Sequence, residues 1–142
     1  MGYLTENLKK SDCAIVGAYN ACIYLKNQAN YAKIEKVARK YKYSSKNGFK
    51  CQFLKQFMQD IDIKANYLKN MTLSKAEKKI LSGSAAMALI HKDGEEFSHM
   101  IFLRPNGREI EVLNYNMKWI DIVLKLCQKK IKLTVWTVEN IA

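Results

Sequence analysis

The sequence predicts an α+β domain with N-terminal helices packed on a mostly antiparallel β-sheet. Apolar residues recur at three- and four-residue steps up to Met58. Beyond Ile61 they alternate or gather into short runs, and turn signals such as Pro105-Asn106-Gly107 separate the runs. At 142 residues with 49% hydrophobic content, the chain has the size and composition of one domain, 1–142, with its own core. A single proline and six glycines provide no linker, and no internal repeat is present.

The first helix runs from about Cys13 to Lys26, capped by Ser11 or Asp12, with Ile15, Ala18, Tyr19, Cys22 and Ile23 near helical spacing. Asn30 or Tyr31 opens a second, marked by Ile34, Val37, Ala38 and Tyr41. Ser44 to Gly48 is a turn, and a third helix buries Phe49, Phe53, Leu54, Phe57 and Met58. Partial alternation from Ile61 to Leu68 predicts a short strand. Thr72 caps a short helix that ends at Gly83. Ala85 to His91 is a buried strand, followed by an Asp-Gly turn over Lys92 to Glu96. His99–Arg104 and Glu109–Asn114 form a hairpin, Met117 to Cys127 a helix, and Lys130 to Val138 a last strand.

No apolar run approaches the length of a membrane span, and the first residues lack the basic and apolar blocks of a signal peptide. A cytoplasmic protein without membrane contact is expected. A short lysine-rich domain of this kind also fits a phage or mobile element. The net charge of +11 raises the question of nucleic acid, but only Arg39, Arg104 and Arg108 are arginines, and the lysines are dispersed. Base readers lean on arginine forks, so nucleic acid ranks last among the partners. Cys13, Cys22, Cys51 and Cys127 form no CxxC pair and lie near no histidine, so no metal site is expected and the thiols are read as reduced. Cys22 and Cys127 are expected to be buried packing residues, as is Cys51.

Cys13 differs. A thiol at the mouth of a helix faces unpaired N–H groups, which favour the nucleophilic thiolate. Nucleophilic cysteine chemistry also needs an imidazole base, a group that orients the ring, and donors for the oxyanion. With two histidines in the chain, the base is His99 or His91. His99 opens an apolar strand, whereas His91 runs straight into a polar turn and is read as a solvent-exposed strand end. The hairpin brings His99 near Asn114, whose amide oxygen is the expected orienter, with Asn116 as the alternative.

These residues resemble the papain-like superfamily, and within it the bacteriocin-leader-processing, double-glycine peptidases and their stand-alone relatives. Asp12-Cys13-Ala14 stands where the family has Asp-Cys-Gly, and Asn20 matches an asparagine inside the first helix. Ile80 to Ser84 before the apolar strand, His99-Met100-Ile101-Phe102-Leu103 and, loosely, Val112-Leu113-Asn114 match later motifs. The spacing of 86 residues from Cys13 to His99 also fits that group. The resemblance covers roughly Asn7 to Asn116. It places Asn7, six residues before Cys13, at the family's oxyanion glutamine, and Asn114 at its usual acid, where plant-type members use asparagine.

The resemblance implies a papain-like fold and a cysteine peptidase that hydrolyses a peptide or amide bond through an acyl-enzyme. Cys13, His99 and Asn114 would form the triad, with Asn7 and the Cys13 N–H holding the oxyanion. No metal or organic cofactor is required, and the partner is a peptide or protein substrate. The alternative is a non-catalytic peptide- or protein-binding module on the same fold.

Overall fold

The computed structural model describes residues 2–94 and 98–141. Its elements are α1 (Cys13–Lys26), α2 (Tyr31–Lys40), α3 (Leu54–Asp60), β1 (Ile63–Tyr67), α4 (Leu73–Leu81), β2 (Ala86–Lys92), β3 (His99–Asn106), β4 (Glu109–Leu113), α5 (Trp119–Cys127) and β5 (Ile131–Asn140). The five strands form one sheet in the order β1-β5-β2-β3-β4, and every neighbouring pair is antiparallel. The α+β class is therefore as the sequence predicts.

The sheet is buried on both faces. Met87, Met100, Phe102 and Leu113 pack with residues of α1, α2 and α3 on one side. Ala86, Ala88, Ile90, Ile101 and Leu103 pack with Ile80 of α4 and Ile122 of α5 on the other. This explains why β2 reads as an unbroken apolar run rather than an alternation, although its neighbours are antiparallel. Each fully buried large side chain, such as Phe57 or Phe102, contributes about 1.5–3 kcal/mol relative to exposure.

α1 lies against the middle of the sheet, and Ala14 through Ala18 are all buried. Gly17 sits at the closest approach: a Cβ there would meet the Met87 Cε at 2.9 Å. Here glycine gives up helix propensity, about 1 kcal/mol relative to alanine, in exchange for close packing.

Two expected caps are present: Asn30 accepts from the Lys33 N–H, and Thr72 from the Lys75 N–H. Asp12 is different. It occupies the N-cap position of α1 but makes no side-chain cap. Its Oδ2 instead accepts from the N–H groups of Leu8 and Lys9 and from the Tyr31 hydroxyl at 2.7 Å. The expected cap is thereby corrected: three donors behind the helix outcompete the helix's own N–H groups. Asp12 is fully buried, and its Oδ1 has no partner among the described residues. Asn20, also fully buried, pins the same segment further back, accepting from the Leu4 N–H and donating to the Leu4 carbonyl.

Other boundaries shift for local reasons. The third helix begins as a 3-10 turn at Cys51–Phe53, with Phe49 ahead of it and its ring on Phe57. The β3–β4 hairpin closes on Gly107 and Arg108, because Asn106 pairs with Glu109 and Pro105 lies inside β3. Pro105 falls beyond the stretch of β3 paired to β2, where a missing donor costs nothing. Asp93 and Gly94 form a turn as expected; Glu95 and Glu96 lie outside the described residues.

Cys22 is buried as expected, but Cys127 is exposed. α5 buries Trp119 and Ile122 and leaves Ile120 and Leu124 exposed. Cys127 follows those two at helical spacing, on the outer stripe. No described helix is long and apolar enough to cross a membrane.

Candidate functional site

Cys13 opens onto a groove of about 610 Å³. On one side the groove is lined by the turns before α1 (Asn7, Lys10, Ser11) and before the 3-10 segment (Lys46, Asn47, Gly48). The middle of β2 and the entry to β3 close the other side with Leu89, Ser98, His99 and Met100, while Phe49 and Cys51 add apolar surface. Cys13, His99 and Asn7 therefore share one cavity, as the sequence led us to expect.

Cys13 is half-buried, and its Sγ accepts a hydrogen bond from the Met100 N–H at 3.4 Å. That contact seats the first residue of α1 against the start of β3. Burial pushes the thiol pKa above the ordinary value. The Met100 N–H opposes this, as do the N–H groups of Ala14 and Cys13 itself, while the Asp12 charge adds to it. The helix-mouth donors are thus in place, but desolvation outweighs them, contrary to the expectation of a favoured thiolate. A raised pKa means less thiolate at any given pH, so alkylation of Cys13 by iodoacetamide should be slow at neutrality. Its rate should keep rising through the pH range in which a free thiol, pKa about 8.5, has levelled off. Mass spectrometry resolved by cysteine measures this, and a plateau below pH 8 would contradict it.

His99 is half-buried at the first position of β3. Its Nε2 lies 2.9 Å from the backbone carbonyl of Asn114. A carbonyl only accepts, so Nε2 carries the proton, and in the neutral ring Nδ1 is left as the acceptor. Tyr115 stacks on the imidazole, with centroids 5.0 Å apart. No hydrogen bond joins Cys13 Sγ to the His99 ring among the described residues.

Asn114 contacts His99, but through its backbone carbonyl and not through the amide oxygen expected. It is buried, with a left-handed φ of 53°, a conformation that asparagine tolerates better than most residues. This turn presents its backbone carbonyl to His99. Its side chain turns back to β3, accepting from the Phe102 N–H at 3.2 Å and donating to the Met100 carbonyl at 2.9 Å. Regular pairing of β4 with β3 ends at Leu113 and Phe102, so the amide continues the ladder where the backbone leaves it. Asn114 Nδ2 also lies 3.4 Å from Asn7 Oδ1. With its oxygen held there, Asn7 keeps its own N–H₂ as the donor an oxyanion needs.

Asn116 is exposed, and no contact links it to His99 among the described residues. His91 is half-buried rather than solvent-exposed, with Nδ1 3.0 Å from the Ser98 hydroxyl. It is tied to the groove's edge through Ser98. Tyr115 went unnoticed in the sequence; its one signal is an aromatic ring directly after the orienting asparagine. No three or more His, Cys, Asp or Glu residues cluster as a metal site among the described residues.

No protein-family model matches this sequence, and no curated protein matches it. The fold and the site together define an α+β domain in which a cysteine and a histidine face one groove.

Proposed function

We propose that the chain is a papain-like cysteine hydrolase that cleaves a peptide or amide bond, resembling the double-glycine peptidase group. The observation that carries this reading is the Nε2 contact of His99 with the Asn114 carbonyl, which leaves Nδ1 as the ring's free acceptor in a residue that lines the same groove as Cys13. In the proposed reaction, His99 Nδ1 takes the thiol proton as Cys13 Sγ attacks the substrate carbonyl carbon. The oxyanion is held by the Cys13 N–H and by the Asn7 amide. The imidazolium then protonates the leaving amine, and the C–N bond breaks to give a thioester. Water, deprotonated by His99, hydrolyses the thioester and restores the thiol. Asn114 fixes the ring through its carbonyl, and Tyr115 holds the ring plane. No step needs a metal or organic cofactor.

A non-catalytic peptide-binding module is the second reading, favoured by the raised thiol pKa and by the absence of a Cys13–His99 bond among the described residues.

Incubation with a peptide library, followed by intact-mass analysis, tests the proposal. Cleaved products and a thioester adduct on Cys13 are expected, and both should vanish in Cys13→Ala. If neither product nor adduct forms and Cys13→Ala still binds peptides like the parent protein, the binding-module reading replaces it.

A further inference from the structure

The two turns on one side of the groove abut each other. A Cβ on Gly48 would lie 3.8 Å from Ser11 Cβ. Each turn contributes an exposed lysine to the groove lining, Lys10 from one and Lys46 from the other. Neither lysine has an ion-pair partner among the described residues, whereas the adjacent Lys9 is spent on Glu35 at 3.1 Å. No carboxylate lines the groove among the described residues. Beside Cys13, His99 and Cys51, the remaining lining is amide and hydroxyl groups or apolar surface, the latter chiefly from Phe49, Leu89 and Met100. Asp12 lies behind Cys13, but it is fully buried and its Oδ2 is taken up by the Leu8 and Lys9 N–H groups and the Tyr31 hydroxyl. On the described lining itself the two rim lysines are the charged side chains, and they set a positive potential at that rim.

From this juxtaposition of Lys10 and Lys46, and resting on the proposed peptide-bond chemistry at Cys13, we infer that the groove selects a peptide carrying an acidic residue beside the bond presented to Cys13. The apolar surface takes a neighbouring aliphatic or aromatic side chain of the same peptide. An extended peptide fits better than a polynucleotide, because the rim offers lysine point charges without arginine forks. The effect belongs to these two lysines, not to the net charge of +11.

The test uses Cys13→Ala, which retains the groove but cannot turn over, and two labelled peptides of equal length that differ by one Glu-to-Lys exchange. Fluorescence anisotropy at 0.15 M salt should show the glutamate peptide binding at least about tenfold more tightly. Adding Lys10→Glu and Lys46→Glu should remove or invert that preference. Adding Lys78→Glu and Lys79→Glu on α4, an equal charge change at exposed positions outside the groove, should leave the preference in place. Loss of preference with the α4 pair, or displacement of the peptide by a short oligonucleotide at equal concentration, overturns the inference. So does equal binding of the two peptides. Because binding is read without turnover, a failure to cleave by the parent protein counts against the proposed reaction alone. Cleavage without the charge preference counts against this inference alone.

Discussion

Replacing His99 with alanine is expected to lower the proposed peptide- or amide-bond cleavage by about 10²–10⁴, the range supplied by a positioned general base. Cys13→Ala should abolish the acyl-enzyme entirely. The two changes act on one step, so the double variant should be no slower than Cys13→Ala alone. Folding should survive both. Cys13 makes a single hydrogen bond to the sheet, and His99 is tied down by one carbonyl contact and one ring stack. Circular dichroism and denaturant titration check that the fold persists, and single-turnover kinetics check the rate. Full activity in His99→Ala would remove the imidazole from the reaction.

Asn114→Ala should have the largest effect on stability of any substitution at the site. It removes the acceptor of the Phe102 N–H and the donor to the Met100 carbonyl, both buried, and places alanine at a left-handed φ. Unpaired buried backbone groups and the backbone strain together cost about 2–5 kcal/mol. Urea unfolding should show this as a lower midpoint with an unchanged slope. Asn114→Asp provides the contrast. It keeps the acceptor for Phe102 but faces the Met100 carbonyl and Asn7 Oδ1 with an oxygen. Its stability should fall as pH rises through the carboxyl's titration, because the ionised form repels both. A loss of less than about 1 kcal/mol in Asn114→Ala would show that the side chain does not extend the β3–β4 ladder.

Helix and strand positions were legible in the sequence wherever burial imposes a period. α2 and α4 carry a single apolar stripe and a side-chain cap, so pattern and terminus agree. α5 misled because apolar residues occupy both of its faces, with Ile120 and Leu124 exposed opposite Trp119 and Ile122. Periodicity alone cannot say which stripe is inside, and Cys127 fell on the wrong one. The candidate site was legible as residue types: Cys13, His99 and Asn7 line one groove. The identity of the contacting atoms was not. A sequence does not reveal that Asn114 adopts φ 53°, which exchanges the roles of its carbonyl and its amide. Nor does it reveal that Asp12, at a capping position, serves donors behind the helix instead.

The segment before α1, which supplies Asn7 and Lys10, has no helix or strand of its own and is held to the body of the protein by Asn20 on Leu4, the Tyr31 hydroxyl on Asp12, the Lys9–Glu35 ion pair and the Tyr3 ring on Phe102. The opposite wall is the sheet itself, covered on both faces by core. The two sides of the groove are therefore held by different means, one by side-chain anchors and the other by the sheet's own backbone ladder. Hydrogen exchange is expected to run faster at the amides of the first side, through local opening, than at those of the sheet. The groove would then have one stiffer jaw and one more readily opened jaw, and the second carries the amide proposed to meet the oxyanion.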